Sequence, residues 1–237
     1  VNLNITEQII EGRTCVVCLP PSYESSKKTY PVIYVQDGDV LQKNISAILG
    51  HTSIECIIIG IYPENRLDEY TPWKASELHR RFPPFGGQAD SYLTFLTNTF
   101  KPAVDRMYRT NPAPSHTGLM GYSLGGLFSI YCAYTSVVFG ICISISGSFW
   151  YKDWDSFLKT RKPPLDNLNI YLSSGTKEGS DAKDLKRNAI QNTKQTYIAL
   201  KQYLGEKRVT LDWDEGGHHH NLIPRFQKAF AFISTHI

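Results

Sequence analysis

The sequence predicts an α/β protein: a mostly parallel central sheet with an N-terminal antiparallel hairpin and helices on both faces. Three observations carry this. Short runs rich in β-branched residues alternate with stretches of helical spacing along most of the chain. The run 54–61, Ile-Glu-Cys-Ile-Ile-Ile-Gly-Ile, is nearly continuous in apolar residues, as a strand covered on both faces must be. No Pro/Gly/Ser-rich linker and no repeat of fixed period divides the chain, so one domain over 1–237 is expected.

Taken in order, residues 14–19 and 31–36 read as strands, and the polar, lysine-rich segment 21–29 between them reads as the turn of the opening hairpin. A helix over 40–49 precedes the strand 54–61. Residues 92–108 have helical spacing interrupted by Pro102. A strand ending near Met120 leads to a helix over 124–134, and a strand over 140–146 follows. The strand 168–173 runs on to a long amphipathic helix within 182–204. Residues 208–213 supply the last strand and 223–233 the closing helix. The exception is 62–87, with several prolines, Gly86-Gly87 and little periodicity. Loops of that length usually carry function, and this one is expected to overhang the active site.

Twenty-five Lys and Arg against 22 Asp and Glu leave a net charge of +3, too small and too scattered to suggest nucleic acid or an anionic membrane as partner. No window reaches the roughly 18 apolar residues of a membrane span. The start, Val1-Asn2-Leu3-Asn4, lacks the basic and apolar regions of a signal segment. Five cysteines, an odd number, argue against a disulfide framework and for a reducing, cytoplasmic setting. A soluble protein is expected, and global charge says little about its partners.

Chemistry enters at Gly121-Tyr122-Ser123-Leu124-Gly125-Gly126, a G-x-S-x-G sequence with an apolar approach before it and a helical stretch after it. Small residues must flank such a serine, because strand turns into helix abruptly and neighbouring backbone comes close. Ser123 is the candidate nucleophile, and the Leu124 N–H at the new helix start is one candidate oxyanion donor. The second is sought in the turn Gln36-Asp37-Gly38-Asp39, with the Asp39 N–H as the candidate; a simple Asp-Gly turn competes.

A base and an acid should follow in the order Ser, acid, His. After the last strand comes Asp214-Glu215-Gly216-Gly217-His218-His219-His220. The glycine pair favours His218 as base, with His219 next in line. A solvated turn or a metal-binding tract competes, but no ligand spacing accompanies the histidines, and neither metal nor cofactor is expected. His51, His79, His116 and His236 read as surface or structural. Following the strand 168–173, Gly175-Thr176-Lys177-Glu178 offers Glu178 as the acid that orients the imidazole, with Asp181 and Asp184 as alternatives. All three would equally enrich the first turn of the next helix.

Cys15-Val16-Val17-Cys18 has CxxC spacing but sits alone inside an apolar strand, so strand or core cysteines are expected. The aromatic cluster Phe149, Trp150, Tyr151 and Trp154 leaves a strand at the edge where open sheets bind ligands, and pocket lining and core are equally fitting roles.

Together with Asp37-Gly38, Arg66-Leu67-Asp68-Glu69-Tyr70-Thr71-Pro72, Ser146-Gly147-Ser148-Phe149-Trp150, Gly175-Thr176-Lys177-Glu178 and Glu215-Gly216-Gly217-His218, the elbow makes the chain resemble the putative esterase (esterase D) family over nearly its whole length. Within that family it is most similar to the branch of enterochelin esterases and the bacillibactin trilactone hydrolase. The resemblance implies an α/β-hydrolase fold, a serine nucleophile without cofactor and, in that branch, cleavage of tricatecholate siderophore esters. Two departures are visible: Gly147 stands where relatives often have Pro, and His218 is followed by two more histidines. A ferric tris-catecholate is a trianion, and the long loop carries Arg66, Lys74, Arg80 and Arg81 beside Tyr70, Trp73, Phe82 and Phe85. Arg66, Tyr70 and Trp150 are therefore the expected substrate-binding residues, although Glu64, Asp68, Glu69 and Glu77 offset much of the loop's charge. The competing functions are a short-chain acyl esterase or thioesterase such as an S-formylglutathione hydrolase, and a non-catalytic binding module on the same scaffold.

Overall fold

The computed structural model describes residues 4–50 and 54–237, so His51 lies outside the described residues. Eight strands form one sheet: β1 (Asn4–Ile10), β2 (Arg13–Leu19), β3 (Val32–Gln36), β4 (Ile57–Ile61), β5 (Thr117–Tyr122), β6 (Ile141–Ile145), β7 (Asn169–Gly175) and β8 (Val209–Asp214). Their order is β1-β2-β4-β3-β5-β6-β7-β8. β1 and β2 are antiparallel, as are β2 and β4; every other neighbouring pair is parallel.

The alternation of side chains along each strand sorts the core into two layers. On one face Val16, Ile33, Val35, Ile58, Met120 and Ile143 pack with α1 (Gly38–Leu49) and the C-terminal helix (Leu222–Ser234). On the other, Val17, Tyr34, Ile59, Leu119 and Leu172 pack under the remaining helices. These are α2 (Arg66–Glu69), α3 (Ala89–Phe95), α4 (Lys101–Met107), α5 (Leu124–Thr135), α6 (Trp154–Thr160) and α7 (Ala189–Leu204), so the C-terminal helix is α8. Cys15 falls in this second layer and Cys18 in the first, because residues three apart on a strand face opposite ways; the CxxC spacing brings no thiol pair together. All five cysteines are buried and free of disulfides.

The hairpin differs from expectation. β2 and β3 do not pair; the hairpin is β1 with β2, closed at Glu11-Gly12, both at positive φ (49° and 77°), and β4 lies between β2 and β3. β1 escapes sequence reading because it is an edge strand, Asn-Ile-Thr-Glu-Gln-Ile-Ile, largely open to solvent and too polar to register as apolar alternation. Pro102 does not break its helix either. A proline cannot donate to the carbonyl four residues earlier, and the backbone passes through a π-helical segment, Leu96–Phe100, into α4. The helix expected within 182–204 begins only at Ala189, after the 3-10 turn Leu185–Asn188, which leaves 177–184 as a turn-rich segment above the sheet edge. α6 was not anticipated.

Candidate active site

Ser123, Ser146, Glu178 and His218 all lie just beyond the C-terminal ends of the parallel strands β5, β6, β7 and β8. At Ser123 the chain turns straight from β5 into α5, with φ 58° and ψ −118°. Such a conformation costs about 1–3 kcal/mol in a non-glycine residue. Three backbone bonds hold it: Ser123 N–H donates to the Ile145 carbonyl at 2.9 Å, and the Ser123 carbonyl accepts from Leu127 at 3.0 Å and Ser148 at 3.1 Å. The turn also requires glycine at 121, where a Cβ would lie 2.2 Å from the Gly125 backbone.

His218 bridges Ser123 and Glu178. Its Nε2 is 3.0 Å from Ser123 Oγ and its Nδ1 3.0 Å from Glu178 Oε2. An ionised carboxylate only accepts, so Nδ1 carries the hydrogen and Nε2 accepts from the Ser123 hydroxyl. Ser148 Oγ, fully buried and 3.3 Å from Ser123 Oγ, is then placed to donate to the same oxygen.

Glu178 is itself 3% exposed and held on its second oxygen by three donors: Ser146 Oγ at 2.6 Å, Gly175 N–H at 2.8 Å and Arg225 Nη1 at 3.1 Å. Burial pushes its pKa up, but the bonds from His218, Gly175 and Ser146 outweigh it and bring the carboxyl to about 2. Of the three candidate carboxylates, Glu178 is the one bonded to the imidazole. Asp184 accepts from the backbone N–H of Lys186, and Asp181 sits on the cavity wall, exposed; His218 is bonded to Glu178.

The run of histidines divides by partner. Gly216, at φ 111°, and Gly217 bring the backbone over β7, where the Gly216 carbonyl accepts from Lys177 at 2.9 Å. His218 stacks on Tyr122 with ring centres 4.9 Å apart. His219 Nδ1 is 2.7 Å from Tyr122 Oη, and His220 Nδ1 accepts from Gly217 N–H at 3.3 Å. Among the described residues no group of three or more His, Cys, Asp or Glu converges as metal ligands would.

Ser123 opens into a cavity of about 520 Å³. Leu124 is on its wall, and as the first residue of α5 its N–H has no intrahelical acceptor. Asp39 is not on that wall: α1 starts at Gly38, so the chain leaving β3 is already helical and carries Asp39 in its first turn. Arg66, on that wall, reaches the turn. Its Nε and Nη2 grip the buried Asp37 carboxylate at 2.7 and 3.0 Å, and Nη2 also reaches the Tyr122 carbonyl at 3.2 Å. Tyr70 does not face the cavity at all. It is fully buried, and its hydroxyl accepts the Asp37 N–H at 3.0 Å, so it supports the turn beneath Arg66. The aromatic cluster splits: Phe149, Tyr151 and Trp154 are core, whereas Trp150 lines the cavity.

The long loop 62–87 does supply wall residues, namely Arg66, Leu67, Leu78, Phe82 and Phe85. Its other cations, Lys74, Arg80 and Arg81, are not among them, and Trp73 instead packs on Tyr151. Besides Arg66, the charged residues on the wall are Lys177, Lys186, Glu178 and Asp181. Sequence reasoning missed Arg225, Ser146 and Ser148. For Arg225 a signal exists: it shares the stripe of Leu222, Phe226, Ala229 and Ile233, where an arginine must be buried and paired.

A family model described as "Putative esterase" matches residues 6–237. The chain is 35% identical over 226 residues to the Uncharacterized protein YbbA of Bacillus subtilis (strain 168), covering 92% of this chain and 90% of that protein. It is 25% identical over 164 residues to the Siderophore enterobactin esterase of Emericella nidulans, covering 60% of this chain and 54% of that protein. Among solved structures, an IroE-like serine hydrolase from Shewanella oneidensis superposes with a TM-score of 0.82 at 19% identity, over 98% of this chain and 80% of that one.

Proposed function

The chain belongs to the putative esterase family, carboxylesterases of the α/β-hydrolase type, and from that premise we propose that Ser123, His218 and Glu178 are its catalytic triad and that it works through an acyl-enzyme. The observation that carries this is the imidazole of His218 lying 3.0 Å from both Ser123 Oγ and Glu178 Oε2.

Ser123 Oγ attacks the ester carbonyl carbon as its proton passes to His218 Nε2. Glu178, ionised because its pKa is about 2, holds Nδ1–H and stabilises the imidazolium. The oxyanion meets the Leu124 N–H at the start of α5, and the Arg66 guanidinium on the same rim adds positive charge. Collapse of the tetrahedral intermediate breaks the bond to the alcohol oxygen, which takes the proton from Nε2. Water, deprotonated by the same nitrogen, then releases the acid and restores Ser123.

As substrate we propose an ester with bulky aryl groups and negative charge, of the tricatecholate siderophore type. Support comes from the name of the Emericella nidulans relative, from aromatic cavity walls at Phe82, Phe85 and Trp150, and from Lys177 and Lys186 in the same cavity, Lys186 standing over Trp150. The test is covalent labelling of Ser123 by a fluorophosphonate, followed by specificity constants for ferric enterobactin and p-nitrophenyl butyrate. Labelling with a preference for the ferric complex is expected. Absence of labelling removes the triad assignment, and a marked preference for the small ester leaves a general short-chain esterase.

A further inference from the structure

Tyr122 is the last residue of β5, directly before Ser123, and successive residues of a strand point to opposite faces. Its side chain packs against the layer shared by α1 and α8. There it meets the loop between β8 and α8, so the residue before the nucleophile touches the base 96 residues further on.

Three rings come together at that point. The Tyr122 ring lies on the His218 imidazole with centres 4.9 Å apart and planes 30° apart. The His219 ring meets the same imidazole at 4.8 Å, nearly at right angles. Tyr122 Oη is 3.1 Å from the His218 carbonyl and 2.7 Å from His219 Nδ1.

Counting hydrogens gives these bonds a direction. A carbonyl only accepts, so the Tyr122 hydroxyl donates to His218. Burial pushes that phenol well above its ordinary pKa, so it keeps the hydrogen it donates. Burial and the neighbouring His218 lower the pKa of His219, so at neutral pH its ring is uncharged and carries one hydrogen. With its own hydrogen directed to the carbonyl, the Tyr122 oxygen accepts from His219 Nδ1–H. The anchor points are themselves fixed: the Tyr122 carbonyl accepts from Arg66 Nη2 at 3.2 Å, and the His218 carbonyl also accepts from Arg225 Nη1 at 3.4 Å.

An imidazole bonded only through its two nitrogens can still rock about the line joining them. A ring against its face removes that freedom, and the negative face of an aromatic ring favours the imidazolium that forms as Ser123 loses its proton. We propose that Tyr122 is a positioning residue for the base, its ring seating the His218 imidazole and its hydroxyl, held by His219, fixing the His218 backbone. The inference rests on the esterase reading for its catalytic consequence. It gives the second histidine of the run a use that needs no contact with Ser123.

The test compares Tyr122→Phe, which keeps the ring and loses the hydroxyl, with Tyr122→Leu, which loses both. For p-nitrophenyl acetate, kcat should fall about fivefold in the first and about fiftyfold in the second, with KM within about twofold of wild type in each. Adding His219→Ala to Tyr122→Phe should cost less than His219→Ala costs alone, because the chain of bonds is already broken. Nitrogen-15 NMR of histidine-labelled protein reads the chain without catalysis: His219 should be in the Nδ1–H form in the wild type and shift toward the Nε2–H form in Tyr122→Phe, a variant that removes one oxygen from a half-buried ring and so keeps the fold. Wild-type kcat in folded Tyr122→Leu, a loss confined to KM, or the same His219 tautomer in wild type and Tyr122→Phe overturns the proposal. If Ser123 resists a fluorophosphonate while the tautomer still responds to Tyr122→Phe, the esterase mechanism falls and the clasp on His218 stands.

Discussion

Arg225 and Glu178 meet at 3.1 Å with side chains only 1% and 3% exposed. The same guanidinium holds Asp214 through Nε at 2.8 Å and Nη2 at 2.6 Å, reaches Ser146 Oγ, and donates to the carbonyls of Gly217 at 3.1 Å and His218 at 3.4 Å. One cation on α8 thus ties together the end of β8, the acid after β7 and the loop that presents His218.

Removing that cation strands two carboxylates. Arg225→Met should destabilise the fold by about 3–5 kcal/mol, because an uncompensated buried charge costs far more than the pair contributes. Arg225→Lys should fall between, keeping the charge but losing the two-pronged grip on Asp214. Urea unfolding of the three proteins at neutral pH reads this; a Met variant as stable as wild type contradicts it.

Glu178 makes stability depend on pH in a defined direction. Its carboxyl is lowered from 4.5 to about 2 in the folded chain, so it contributes stability above about pH 4.5 that is lost as pH falls through about 2. The contribution is on the order of 3 kcal/mol. The unfolding free energy of Glu178→Gln should therefore lag wild type most near neutrality, with the gap narrowing as pH drops from about 5 toward 2. A gap independent of pH denies the depressed carboxyl.

Ser123→Ala and His218→Ala should each lower kcat/KM for p-nitrophenyl acetate by about a thousandfold or more, and the double variant should be little worse than either. Full additivity in that cycle argues that the two do not act as a unit.

His219→Ala should change the same constant by less than about tenfold. Its Nδ1 is committed to Tyr122 Oη at 2.7 Å, and burial with the neighbouring His218 lowers its pKa. A loss as large as that of His218→Ala moves the base to His219.

Gly121→Ala drives a methyl to 2.2 Å from the Gly125 backbone, which neither strand nor helix can accommodate without displacing Ser123. We expect labelling by a fluorophosphonate to be lost together with several degrees of thermal stability. Retained labelling at wild-type rate shows that the elbow can relax.

Much of the parallel sheet is legible because its strands are buried on both faces and read as apolar runs, as Ile57–Ile61 and Ile141–Ile145 do. The edge strand β1 and the pairing of β2 with β4 are not, since solvent-facing polar residues leave no periodic signal and pairing joins residues more than forty apart, as Val17 and Ile59 are. In the site, the places of Ser123, Leu124, Glu178 and His218 around one cavity follow from local turn chemistry. Asp39 and Tyr70 mislead because sequence proximity to a functional turn says nothing about which way a side chain or N–H faces: Tyr70 is sealed beneath Asp37, and Asp39 is wound into α1.

The sequence by itself determined the α/β class and the glycine-flanked turn at Ser123, because helix and strand periods and the tolerance of glycine for close backbone are properties of a few consecutive residues. Only the tertiary structure decided which of three adjacent histidines faces Ser123, which of Glu178, Asp181 and Asp184 meets it, and that Arg225 secures the acid. Those choices depend on directions in space set by four strand ends brought side by side, and a carboxylate 40 residues from its imidazole acquires its partner only when the sheet has formed.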